Sequence, residues 1–199
     1  MRGGLGVATR EFDVRGIDHL ALVSNDMART VGFYRDLLGF PLARTIDLPG
    51  GAQHFFFDIG NGDMLAFFWF PKRPDAVPGI SAPKHLVGEG NWASAVGSMN
   101  HVAIRVPPEK IDEYRERLVA KGIDCTPILN HDHSEGQIAA ENHPGVWLRS
   151  IYFFDPDGAM LEFAATVIPA SSGDLGAEPK DAAGEPVDMD VRRNGALAV

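Results

Sequence analysis

The sequence predicts an α+β fold: two paired β-α-β-β-β modules forming a cupped, eight-stranded mixed sheet around a metal cavity, with the helices outside. Three observations lead there. The chain repeats itself: Asp18-His19-Leu20-Ala21 returns as Asn100-His101-Val102-Ala103, and Met64-Leu65-Ala66-Phe67 returns as Met160-Leu161-Glu162-Phe163. Each copy carries one helical stripe followed by runs with the period of two that strands require. The stretch from Ile151 to Phe163 reads as a hairpin. Its Asp155-Pro156-Asp157-Gly158 centre joins a φ-fixing Pro to a Gly that accepts positive φ, between two aromatic-rich runs.

Residues 1–15 are Gly-rich and charged and read as a loose arm. The first module covers 16–70. Ile17 to Val23 alternates, with Leu20 and Leu22 on one face and His19 and Ala21 on the other. Asn25 or Asp26 can cap the next helix. Met27, Val31, Tyr34 and Leu38 form its apolar stripe, and Gly39 stops it. Strands follow at 41–47 and 53–58, then a Gly60-Asn61-Gly62 turn and a strand over 63–70. Residues 71–97 hold Pro71, Pro74, Pro78 and Pro83, the punctuation of a connection or lid.

The second module covers 98–168. A strand over 99–106 leads to Pro108, suited to a first helical position. Ile111, Tyr114 and Leu118 form the helical stripe, which ends at Gly122. A strand near 123–128, a polar loop over 130–145 and the hairpin complete it. Residues 169–199 are rich in Ala, Gly, Pro and acids and read as a disordered tail.

A net charge of −9 argues against nucleic acid and against an anionic membrane as partners. The one cysteine, Cys125, excludes an internal disulfide and is expected to be a small buried hydrophobe. No apolar run is long enough to span a bilayer and no leader-like stretch opens the chain, so a cytoplasmic location is expected.

Glu162 is a lone carboxylate in an apolar strand. It needs a cation, a proton or an outward orientation, because an unpaired buried charge costs several kcal/mol. The repeat puts His19 and His101 at equivalent positions, an offset of 101 − 19 = 82, and likewise Ala66 and Glu162, an offset of 162 − 66 = 96. Modules paired about a pseudo-twofold axis would bring His19, His101 and Glu162 to one cavity, while Ala66 adds no ligand. Two imidazoles and one carboxylate suit Fe(II), with Mn, Co, Ni or Zn as alternatives, and leave coordination positions open. His131 and His133 flank Asp132 and could imitate a metal pair, but a solvated loop is the expectation for them.

Over about residues 16–167 these features resemble the vicinal oxygen chelate superfamily of glyoxalases, bleomycin-resistance proteins, fosfomycin-resistance enzymes and extradiol dioxygenases. Ala66 at the fourth ligand position argues against glyoxalase-type proton shuffling. The run from His143 through Ile151, Tyr152 and Asp155-Pro156-Asp157-Gly158 to Glu162 is similar to the signature of type I extradiol ring-cleaving dioxygenases, with a departure at Glu141. The resemblance implies cleavage of a small catecholic or related aromatic substrate by O2, with Fe(II) on His19, His101 and Glu162. It further implies that Tyr152 hydrogen-bonds a substrate oxygen and that His143 assists proton transfer. It also implies another acid–base histidine, for which His54 and His85 are the candidates. Other members suggest a lyase, isomerase or thiol transferase, or a protein that sequesters a drug. Pairing of the modules within one chain, or between two chains of a homodimer, stays open.

Overall fold

The computed structural model describes residues 16–170 and 179–187. The expected loose arm at 1–15 and most of the expected tail lie outside the described residues. Of the described residues, 16–168 lie in one compact unit, and 169–170 and 179–187 belong to another. In the latter, Lys180 bridges Pro186, and the Asp181 carboxylate accepts hydrogen bonds from the N–H groups of Ala183 and Glu185.

The first module contains β1 (His19–Val23), α1 (Met27–Val31), β2 (Leu42–Leu48), β3 (Ala52–Gly60) and β4 (Asp63–Trp69). Asp26 caps α1 by accepting from the Arg29 N–H at 3.0 Å. Past Val31 the helix widens into a π-helical stretch over Gly32–Leu37, where the Leu38 N–H reaches back to the Phe33 carbonyl. Tyr34 in that stretch is fully buried, with its ring against Phe57 and Phe67. The second module contains β5 (His101–Arg105), α2 (Ile111–Ala120), β6 (Leu129–His131), β7 (Ile138–Ala139), β8 (Leu148–Phe154) and β9 (Met160–Thr166). Gly122 ends α2 at φ 75°, a conformation that only glycine adopts without cost.

Both sheets are mixed. The first has the order β1-β4-β3-β2 and the second β5-β9-β8-β6-β7. β1 is parallel to β4 and β5 is parallel to β9. The register reproduces the repeat: His19 pairs with Met64 and Ala21 with Ala66, as His101 pairs with Met160 and Ala103 with Glu162.

Two expectations change. The described strands form a four-stranded and a five-stranded sheet with no ladder between them, not one eight-stranded sheet. The strand expected near 123–128 shrinks to a single bridge, Cys125 with Phe153. Pro127 is the reason, since it has no N–H to extend a ladder. The strand forms instead at Leu129–His131 and continues into a hairpin with β7, inside the stretch expected to be a polar loop.

The modules meet through their helix-bearing faces. Tyr34, Phe57, Leu65 and Phe67 of the first share a core with Ile104, Ile111, Phe153 and Leu161 of the second. Burial of this apolar surface, worth about 25 cal/mol per Å², is the main force joining them. Polar ties cross the same junction: the Tyr34 hydroxyl donates to Asp155 at 3.0 Å, Lys121 donates to the Leu37 carbonyl, and Arg29 pairs with Asp157. Among the described residues no helix is long and apolar enough to cross a membrane.

Candidate metal centre on the second sheet

With helices on one face of each sheet, the opposite faces carry the polar candidates. On the second sheet, β5 presents His101 and β9 presents Glu162. His101 Nε2 lies 3.1 Å from Glu162 Oε2. Glu162 is only 3% exposed, so its charge needs compensation. Ser150 supplies part of it, with Oγ 2.5 Å from the other carboxylate oxygen. Burial works against ionisation of Glu162, but the bonds from His101 and Ser150 outweigh it and hold the carboxyl below its ordinary range.

The His101 ring is oriented from behind. Its Nδ1 lies 2.8 Å from Asn100 Oδ1. The side-chain oxygen accepts from Nδ1 and so turns Nε2 toward Glu162, the position from which it would ligate a metal in place of its bond to the carboxylate. The first module repeats the device, with His19 Nδ1 2.7 Å from Asp18 Oδ1. The preceding polar residue thus fixes the imidazole in both copies.

Tyr152, opposite Glu162 in the β8–β9 ladder, sets its ring edge-on to His101 at 5.6 Å. Burial, then the Glu162 charge, push its hydroxyl up to about 12, so it remains a protonated donor at neutral pH. The connection covers this patch: Leu86, 2% exposed, packs with Tyr152 and Met160, flanked by Val87, Leu129 and Phe154.

The donor set fits a divalent ion. Two ligand atoms about 2.1 Å from an ion and at right angles to it lie about 3.0 Å apart, close to the observed His101–Glu162 separation. His19 is not part of this pair. Its neighbours are His54, with ring centroids 6.4 Å apart, and Phe56, at 5.5 Å. Among the described residues no three His, Cys, Asp or Glu side chains stand close enough to share a metal. The sequence leaves open pairing within one chain or between two; within this chain His19 does not stand beside His101 and Glu162. The modules join through the helix side, and β1 and β5 belong to separate sheets.

The other candidates scatter. His143 Nε2 lies 3.2 Å from Asp132 Oδ2, and its Nδ1 accepts from the Gly145 N–H; it braces its own loop. His54 stacks on Phe68 at 3.6 Å, and burial, then His19, push its pKa down. His85 is exposed in the connection beside the buried Leu86. His131, expected in a solvated loop, ends β6 and is half-buried. Ser150 and Asn100 did not emerge from the sequence. Their signals were present: Ser150 shares a face with Tyr152 by the period of two, and a polar residue precedes the histidine in both copies.

The profile of the glyoxalase/bleomycin resistance protein/dioxygenase superfamily matches residues 16–163. The chain belongs to this superfamily. A curated relative in it is the fosfomycin resistance protein FosX of Listeria monocytogenes serovar 1/2a, 26% identical over 152 residues, 76% of this chain and 90% of the relative. The FosX protein of Listeria innocua serovar 6a is 23% identical over 152 residues, again 76% of this chain and 90% of the relative. A solved superfamily fold is the glyoxalase family protein from Enterococcus faecalis, with TM-score 0.52 and 24% identity, covering 75% of this chain and 97% of that one. The implied closeness to extradiol dioxygenases gives way here: these curated relatives are fosfomycin resistance proteins.

Proposed function

We propose that the chain is a divalent-metal enzyme of the resistance or lyase type, which transforms a small electrophilic compound at the Glu162 face. The observation that carries this is the His101–Glu162 pair at 3.1 Å, with His101 oriented by Asn100 and Glu162 by Ser150. The superfamily match and the FosX relatives support it. His101 and Glu162 would hold the ion, with His19 of a second copy as the third ligand; Asp18 orients that imidazole as Asn100 orients His101. When bound, the ion would polarise a substrate oxygen and supply Lewis acidity.

The chain's own groups do the rest. Tyr152 keeps its proton and donates a hydrogen bond to a substrate oxygen. Leu86 and Val87 cover the patch and exclude water, which strengthens each polar contact beneath them. Fe(II), O2 and an aromatic ring are not singled out. The relatives point elsewhere, and His143 is engaged with Asp132.

The experiment is elemental analysis of purified protein, followed by incubation of the Mn-, Fe- and Zn-loaded forms with fosfomycin and water or thiol. Loss of the drug is followed by phosphorus NMR, and oxygen uptake with catechol is measured in parallel. Metal-dependent loss of the drug, abolished in Glu162→Gln, is expected. Protein that retains no metal sinks the reading, as does drug binding unaltered by chelator. Oxygen uptake with catechol alone would reinstate ring cleavage.

A further inference from the structure

Two ring nitrogens of the second module are shielded from solvent and have no hydrogen-bond partner: Nε2 of His131 and Nε1 of Trp147. Their rings are neighbours, with centroids 5.8 Å apart. Each buried orphan costs about 1–3 kcal/mol, and native structures leave few such groups unpaired. Two together mark a place that expects a ligand.

The sheet register puts His131, and through the ring contact the Trp147 indole beside it, near the face of Glu162. His131 opposes Leu148, and Leu129 opposes Ser150, across β6 and β8. Tyr152 opposes Glu162 across β8 and β9. Directly opposed residues share a face and positions two apart return to it. His131, Ser150, Tyr152 and Glu162 therefore all lie on the face that carries His101. The charge interaction between His131 and Glu162 agrees with this placement.

Each orphan has its own hydrogen-bonding character. The Gln137 backbone lies close enough to the His131 ring to act on it. Nε2 of His131 has no partner, and with the ring proton on Nδ1 it is an acceptor. Gln137 sits at φ 57°, a left-handed conformation that costs a non-glycine residue on the order of 1 kcal/mol. Its N–H and its side-chain amide both donate to the Ser134 carbonyl, at 3.0 and 2.7 Å. Trp147 offers only an N–H donor. With the imidazole proton on Nδ1, an acceptor stands beside a donor.

We propose that His131 and Trp147 form a hydroxyl-binding subsite of the Glu162 face, in which a ligand O–H donates to His131 Nε2 and the same oxygen accepts from the Trp147 N–H. An uncharged hydroxyl does both through one atom. Leu86, Val87, Leu129 and Phe154 gather around Tyr152 and Met160 on this module, which favours an alcohol or phenol with an apolar body. The assignment rests on the Glu162 face being the substrate site.

Phenol is the probe, and anisole, its methyl ether, is the control that lacks the O–H. Both are titrated into the 15N-labelled full chain. Trp147→Phe and His131→Phe assign the indole and imidazole signals. Phenol is expected to move both signals and anisole neither. Each Phe variant is expected to weaken phenol binding about tenfold, and His131→Gln, which keeps an acceptor, to retain most of it. The proposal is overturned if both probes move the signals alike, if neither does because a resident water alone fills the subsite, or if the variants bind phenol as the native chain does. Should one variant fail to fold, the other and the native signals decide. Elemental analysis runs alongside. Absent metal with an intact phenol response sinks the metal reading alone, and bound metal with no response sinks the subsite alone.

Discussion

Ser150 governs how Glu162 behaves. Its hydroxyl, 2.5 Å from Oε1, holds one carboxylate oxygen and leaves the other toward His101. Partners of this kind are worth about 10- to 100-fold in metal affinity, so Ser150→Ala is expected to weaken metal binding by that factor in a chain that still folds. A zinc titration followed by competition with a chromogenic chelator measures it, and unchanged affinity would mean that Glu162 is not a ligand. His143→Ala supplies the contrast. Its bond is to Asp132, 3.2 Å away, and metal affinity should not move. The repeat alone picked out His19, His101 and Glu162, because equivalent positions repeat residue types that bind metals. It was silent on Ser150, since a serine in a strand has no sequence context that marks it as a carboxylate's partner.

At the scale of elements, the β8–β9 turn and the connection carry separate predictions. Asp155 Oδ1 accepts from the N–H groups of Asp157 and Ala159, and Oδ2 accepts from Tyr34. Burial raises the Asp155 pKa more than these bonds lower it. The folded chain therefore takes up this proton more readily than the unfolded chain. Native stability from this group rises as pH falls through the raised value toward the ordinary carboxyl value near ~3.9. Asp155→Asn keeps an acceptor and removes the charge. It should exceed the native chain in stability at pH 7, with the gap closing toward about pH 4; urea unfolding across that range tests the sign.

In the connection, Leu86→Ala should cost about 2 kcal/mol and act locally. Faster amide exchange in residues around 80–96, with the β8–β9 hairpin still protected, would show a cover and not a core element. The hairpin was legible because Asp-Pro-Asp-Gly dictates its own turn. The β6–β7 hairpin was not: the polar run between Asn130 and Glu141 hides it, and its turn relies on Gln137 in a conformation that sequence does not advertise.

For the whole molecule, the decisive fact is that His19 and the His101–Glu162 pair are not assembled in one chain. If a second copy supplies His19, two defective chains should repair one another. Mixing His19→Ala with Glu162→Ala and refolding together would give heterodimers with one intact site, and metal binding should return to about half a site per heterodimer chain, the statistics being those of a shared twofold interface. Each variant alone should bind none. No recovery in the mixture, with both variants dimeric, would mean that the third ligand is not His19 of a second copy.

By itself the sequence determined the repeat of the two modules, most of their strands to within a few residues but not β6 and β7, the equivalence of His19 with His101, and the isolation of Glu162 in an apolar strand. All of these follow from local rules of periodicity, turn chemistry and repetition. Only the tertiary structure decided that the helix-bearing faces pack together, which divides the ligands between two sheets. It also decided that Ser150, Asn100 and His131 gather near Glu162 while His143 turns to Asp132. Those outcomes depend on which apolar face buries more surface and on ladder register, and both are set by contacts between residues far apart along the chain.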